Sequence, residues 1–254
     1  MQQVYRGRPS FDKTGSHFCR RGSGQERMNE FDLVIFDCDG VLIDSEIISA
    51  RMLVAELARL GLQIDLSYVE RHFLGRSYPV VMDTIRREFG LDLPDAFEAQ
   101  YREALLAAFR QDLRVVPHVP EVLAAMGVPF CVATSSSPRR AEMSLALVGL
   151  SGRVAGRLFT STMVARGKPA PDLFLHAAAR MGAAPARTLV IEDTLTGIRA
   201  GLAAGMTVWR FVGGSHLGPD TPLEPEDARP HRRLVAFSQF FQIAPTLKQD
   251  PQTA

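Results

Sequence analysis

The chain has 254 residues, 46% of them hydrophobic, with a formal net charge of +1 and only three cysteines. That length allows a sizeable core, and the balanced charge excludes the basic field that nucleic acid or an anionic membrane attracts. The scattered Cys19, Cys38 and Cys131 make neither a disulfide framework nor a zinc site, and no apolar run reaches the roughly 20 residues of a membrane span.

A cytoplasmic protein is expected, since the first residues also lack the apolar segment of a secretory signal. Residues 1–27 mix Arg, Gly, Ser and Gln without periodicity and read as a disordered extension, with Met28 as an alternative start. Phe31–Phe36 is a short apolar run ahead of a glycine turn, the pattern of a buried parallel strand. From Ser45 to Leu60 apolar residues recur at helical spacing until Gly61, and helical stretches follow near Leu66–Phe73, Pro79–Phe89 and Ala96–Phe109. The block 45–111 is therefore an all-helical insert. Alternation then resumes with a helix to Met126, a strand Val128–Thr134 and a helix Arg139–Val148. A strand Arg157–Thr160 and a helix Pro171–Met181 follow, then a strand Thr188–Ile191, a helix Thr196–Ala204 and a strand Thr207–Phe211. Pro219–Pro230 reads as a Pro-rich, charged stretch. The fold class is α/β, a doubly wound Rossmann-like parallel sheet over 28–44 and 112–254 with the helical insert between.

Active sites of such sheets lie beyond the carboxyl ends of the strands. Those ends, or the loops after them, carry Asp37-Cys38-Asp39-Gly40, Thr134-Ser135-Ser136-Ser137, Gly167-Lys168-Pro169 and Glu192-Asp193-Thr194. Acids, hydroxyls and one cation are thereby gathered on one side of the sheet. An Asp-x-Asp-Gly run also opens calcium loops, but those follow a helix and need a glutamate at the twelfth position, which here is Ile48. Taken singly, Asp193 and Ser137 are ordinary helix caps and Lys168 an ordinary surface lysine.

Taken together they resemble the haloacid dehalogenase superfamily. Asp37-Cys38-Asp39-Gly40-Val41-Leu42 is similar to its first motif, Ser135 to its Ser/Thr motif, Lys168 in Gly-Lys-Pro-Ala-Pro-Asp to its lysine motif, and Glu192-Asp193 to its acidic motif. The insert sits where β-phosphoglucomutase and many sugar-phosphate phosphatases carry a helical cap. The resemblance implies a magnesium-dependent phosphatase for a small phosphorylated molecule, working as a monomer or weak dimer. Asp37 would attack phosphorus and form an aspartyl-phosphate. Asp39 would begin protonated, give its proton to the leaving oxygen and later activate water. Mg²⁺ would lie on the Asp37 and Asp193 carboxylates and the Asp39 carbonyl, with Glu192 nearby. Lys168, the Ser135 hydroxyl and the Ser136 amide would bind the phosphoryl oxygens.

The turn Phe73-Leu74-Gly75-Arg76-Ser77 is where the family places a substrate loop, and Arg76 is the residue there that would clamp a second anion. A sugar or sugar-acid phosphate is the expected substrate. A sugar-phosphate mutase is the alternative, disfavoured because Ser49, Tyr78 and Pro138 stand where the mutases carry histidine, arginine and lysine. A non-catalytic phosphate- or partner-binding protein is a further alternative, disfavoured because Asp37 and Asp39 are both present. Cys38 is expected to pack away from the site, and Gly213-Gly214-Ser215-His216 to be a plain loop.

Overall fold

Four consecutive apolar residues, Leu33–Phe36, are fully buried and form β1, as expected of a strand covered on both faces. They belong to a computed structural model that describes residues 30–73, 76, 78–91, 93–217 and 221–250. The extension 1–27 and positions 74, 75 and 77 of the cap turn lie outside the described residues.

Between the first strand and the second the chain makes α1 (Glu46–Arg59), α2 (Leu66–His72), α3 (Tyr78–Phe89) and α4 (Phe97–Asp112), with no strand among the described residues. Helix α4 buries Phe97, Tyr101, Leu105 and Phe109, a stripe with one residue per turn, and packs it on α1, which buries Ala50, Leu53 and Leu57. The two chain crossings into this insert run side by side: the Asp44 amide donates to Arg114 O at 2.9 Å and the Val116 amide to Leu42 O at 3.0 Å. A narrow neck thus joins the helices to the sheet.

The remaining strands are β2 (Phe130–Thr134), β3 (Leu158–Thr160), β4 (Thr188–Glu192), β5 (Thr207–Phe211) and β6 (Arg232–Leu234). All pair in parallel, in the order β3-β2-β1-β4-β5-β6. Ile35 sits opposite Cys131 on one side and Val190 on the other, so the strand order reverses at β1. Such a switch point opens a crevice at the carboxyl ends of β1, β2 and β4. Helices α5 (Val119–Ala124), α6 (Pro138–Leu147), α7 (Ser151–Val154), α8 (Asp172–Met181), α9 (Leu195–Ala203) and α10 (Phe240–Ile243) complete the chain. Because successive side chains of a strand face opposite ways, Val34 and Phe36 pack toward Phe237 and Phe240, and Leu33 and Ile35 toward Leu173, Phe174 and Ile198.

The sequence reading ends at five strands, and β6 corrects it. Arg232-Arg233-Leu234 has no apolar run to betray a strand. It is held at the sheet edge by its neighbours: the Arg232 guanidinium lies 5.6 Å from the Trp209 ring centre, and Arg233 Nε donates to Glu224 Oε1 at 2.9 Å.

Candidate active site

The Asp37 amide donates to Ile191 O at 2.9 Å, which carries the β1 ladder one residue further and delivers the carboxylate to the crevice. Lys168 Nζ meets Asp37 Oδ1 at 2.5 Å and Glu192 Oε1 at 2.8 Å and donates to Ala133 O at 3.1 Å. Its side chain is 2% exposed, so this is a buried charge bracketed by two acids and resting on the Phe174 ring. Glu192 Oε2 in turn accepts from the Thr194 amide and hydroxyl at 2.7 and 3.0 Å. A Cβ at Gly197 would collide with that carboxylate, which explains a glycine in the first turn of α9.

Two residues on, Asp39 is enclosed by donors. Ser45 Oγ and Arg140 Nη2 reach Oδ1 at 2.6 and 2.8 Å, while Ser136 Oγ and Thr134 Oγ1 reach Oδ2 at 2.6 and 3.4 Å. Between Asp37 and the helical insert the chain turns at Gly40, with φ of +76°, and a side chain there would strike the Asp193 carboxylate. Cys38 is fully buried in the core beneath, as its alternation with the two acids requires.

Asp37, Glu192 and Asp193 bring carboxylate oxygens within 4.8 Å of one another in a buried setting. Neither carboxylate oxygen of Asp193 has a hydrogen-bond partner among the described residues, although Oδ2 lies within ion-pair distance, 2.8 Å, of His216 Nε2. Three acids against one lysine, with an orphaned carboxylate oxygen, suit a divalent cation with oxygen ligands. Glu192 spends both oxygens, one on Lys168 and one on Thr194, whereas Asp37 spends only one on Lys168, so Asp37 and Asp193 are the carboxylates that could hold such an ion. The Asp193 loop is fixed from behind: Arg210 Nε donates to Asp193 O at 3.0 Å, and Arg210 Nη1 meets Glu224 at 2.7 Å.

The electrostatics depart from the expected order of protonation. Burial, reinforced by Glu192, Asp193 and Asp39 and opposed by Lys168, raises the Asp37 carboxyl well above the usual range. Burial also pulls Asp39 upward, but Arg140 and the Ser136 and Ser45 hydroxyls outweigh it and leave Asp39 below the usual range. With the protein's own charges alone, Asp39 is the ionised member. A divalent ion held by Asp37 and Asp193 would reverse the balance at Asp37, because it would be the largest local charge. Lys168 is disfavoured by burial, yet Asp37 and Glu192 outweigh that and keep its ammonium above the ordinary lysine range.

These groups open into a cavity of about 560 Å³ walled on one side by the strand ends and on the other by α1, α3 and α4. Ser135 lines it, and its hydroxyl meets no described side chain. The Ser136 amide instead donates to Thr134 Oγ1 at 3.0 Å, so in this arrangement the Ser136 hydroxyl, not its amide, faces the site acids. Arg76 is exposed and lines the same cavity from the helical side.

Residues 31–205 match the haloacid dehalogenase-like hydrolase family. The chain belongs to that family. This hydrolase is 28% identical over 217 residues to the 6-phosphogluconate phosphatase of Escherichia coli K12, covering 85% of the chain and 94% of that protein. It is 32% identical over 175 residues to the fructose-1-phosphate phosphatase YqaB of the same organism, covering 68% and 92%. Among solved structures, a conserved haloacid dehalogenase-like protein from Agrobacterium tumefaciens C58 superposes with a TM-score of 0.74 at 32% identity, covering 85% of this chain and 98% of that one.

One residue of this hydrolase's site, Arg140, escaped the sequence reading, and another, His216, corrects the expectation of a plain loop at Gly213-Gly214-Ser215-His216. Arg140 stands in the first turn of α6 and crosses to the Asp39 carboxylate and, at 3.2 Å, to Ser49 Oγ of α1. His216 follows β5 and reaches Asp193 with a side chain 3% exposed, while Ser215 gives its amide and hydroxyl to Asp44 Oδ1 at 3.1 and 2.8 Å. The available signal for His216 was the Gly-Gly pair just past a strand's carboxyl end. Gly214 lets the ring lie close against the backbone.

Proposed function

We propose that the chain is a Mg²⁺-dependent phosphomonoester hydrolase for a small phosphorylated metabolite, a sugar or sugar-acid phosphate, and that it works through an aspartyl-phosphate on Asp37. The observation that carries this reading is the enclosure of two differently treated carboxylates, Asp37 bound to Lys168 and Asp39 bound to hydroxyls and Arg140, at one strand end. Mg²⁺, when bound by Asp37 and Asp193 with the Asp39 carbonyl, supplies positive charge against the transferring phosphoryl and keeps Asp37 ionised. Asp39, ionised beside Arg140 in the empty site, takes up a proton from solvent as the phosphate dianion enters next to it; Asp37 then attacks phosphorus in line with the ester oxygen, and the bond to the leaving oxygen breaks as Asp39 delivers that proton to it. Lys168 and the Ser135 hydroxyl offset charge on the phosphoryl oxygens. Asp39, now ionised, takes a proton from the water that hydrolyses the aspartyl-phosphate. Residues 45–111 act as a cap that shields this intermediate from bulk water.

Support for a sugar or sugar-acid substrate comes from the E. coli relatives, and support for hydrolysis over mutase chemistry comes from Ser49. Ser49 donates to Ser45 O at 2.9 Å and accepts from Arg140, so this cap position offers no acid or base. The test is phosphate release with Mg²⁺ from p-nitrophenyl phosphate and from hexose, pentose and sugar-acid phosphates, repeated with Asp37→Asn. Release that disappears with Asp37→Asn or with EDTA is the expected result. No turnover of any ester overturns the reading, and conversion of β-glucose 1-phosphate to the 6-phosphate without phosphate release would assign a mutase.

A further inference from the structure

Helix α1 turns Glu46, Ser49, Ala50 and Leu53 toward the cavity, a stripe along one helix face. Glu46 is the charged member, and the reaction described above gives it no part. It is 8% exposed, yet among the described residues its carboxyl makes no hydrogen bond and no ion pair. The donors around it are directed elsewhere. Ser45 Oγ and Arg140 Nη2 go to Asp39 Oδ1 at 2.6 and 2.8 Å, Tyr101 Oη goes to Ser49 O at 3.5 Å, and His216 Nε2 lies 2.8 Å from Asp193 Oδ2. Ser49 is itself occupied, donating to Ser45 O and accepting from Arg140. Burial followed by the Asp39 charge pushes the Glu46 carboxyl up to about 7, as befits an acid without donors.

Buried polar groups are almost always hydrogen-bonded, and one left without a partner costs stability, so such a group marks a place where a ligand completes the set. A metal ion is not that ligand: the buried acids whose oxygens converge are Asp37, Glu192 and Asp193, and Glu46 stands outside them. Nor is the phosphoryl group, whose negative charge a carboxylate repels. What remains is the leaving alcohol. Asp39 must reach the leaving oxygen, and Ser45, which holds Asp39, precedes Glu46 in the chain. The Glu46 carboxyl therefore borders the first carbons of the leaving group. A carboxylate there takes a donor, and the Arg140 charge acting on the same spot disfavours an ammonium and leaves a hydroxyl.

We infer that Glu46 is a specificity-determining residue, accepting a hydrogen bond from the hydroxyl on the carbon next to the ester carbon of the substrate. The inference rests on the phosphatase reading and adds to it a residue and a position on the substrate.

The test uses two pairs of esters. Glycerol 3-phosphate and glucitol 6-phosphate carry that hydroxyl, while 3-hydroxypropyl phosphate and 5-deoxyglucitol 6-phosphate lack it and are otherwise the same. Wild-type kcat/KM should favour the hydroxylated member of at least one pair by about tenfold or more, the scale of a hydrogen bond to a charged group. Glu46→Met and Glu46→Ala should bring that ratio close to one, chiefly by raising KM for the hydroxylated ester, and Glu46→Gln, which keeps an acceptor oxygen, should retain part of it. An acid that merely opened α1 would leave the ratio unchanged. A wild-type ratio near one in both pairs, no turnover of any of the four esters, or a ratio that survives both the Met and the Ala substitution overturns the inference, while hydrolysis of p-nitrophenyl phosphate leaves the phosphatase reading standing. Failure to hydrolyse p-nitrophenyl phosphate as well as the four esters would remove both.

Discussion

His216 Nε2 lies 2.8 Å from Asp193 Oδ2, with both side chains almost wholly buried. A histidine against one carboxylate oxygen would orient Asp193 as an outer partner orients a metal ligand, with Oδ1 available to a cation shared with Asp37. His216→Ala should therefore weaken Mg²⁺ binding by about 10- to 100-fold. Titration calorimetry, or the Mg²⁺ concentration needed to raise the melting temperature, reads this directly. Unchanged Mg²⁺ affinity would reduce the histidine to packing.

Lys168 is bracketed by Asp37 and Glu192, and all three side chains are almost wholly buried. Lys168→Met leaves two buried acids without their cation, which should lower stability by about 3–5 kcal/mol at neutral pH. Part of that loss should return as the pH falls and the acids protonate. Urea denaturation in EDTA measures it, and turnover should fall along with it. A Lys168→Met protein as stable as wild type at pH 7 would contradict the ion-pair account.

Asp39→Asn keeps the shape of the acid and removes its proton transfer. Turnover of a sugar phosphate should drop by roughly 10²- to 10⁴-fold, the range for general acid–base groups. The loss on p-nitrophenyl phosphate should be smaller, because p-nitrophenolate leaves without protonation. Equal losses on both esters would deny Asp39 the role of acid.

Glu46 opens α1 inside the cavity wall, 8% exposed, and its carboxyl is pushed up to about 7 by burial and then by Asp39. A carboxyl whose folded value lies above its unfolded value binds more protons in the native state. Stability from this group is then full below the ordinary glutamate range and declines as pH rises toward 7. The total is on the order of 3 kcal/mol. Glu46→Gln should flatten that decline, so its melting temperature in EDTA should exceed wild type at pH 8 and match it at pH 4.5. An identical pH dependence in the two proteins would show that Glu46 is solvated.

The α/β fold class and the order of the first five strands with their longer helices were legible from the chain alone, while the short helices α7 and α10 were not. Buried parallel strands must be apolar throughout, and polar residues at their carboxyl ends then stand out, as Asp37, Ser135 and Glu192 do. The one strand that escaped, β6, carries two arginines, and its identity depends on Trp209 and Glu224, neither of which is its neighbour in sequence.

What only the tertiary structure decided is how the charges are shared. Arg140 is 101 residues from Asp39 and His216 is 23 residues from Asp193; neither spacing is a motif, because their meeting depends on the strand order at β1 and on the loop after β5. The sequence determined that two carboxylates stand at the end of the first strand. The fold determined that one lies with Lys168 and the acids while the other lies with Arg140 and three hydroxyls. Coulombic and desolvation effects act through space, and space is what the linear order does not record.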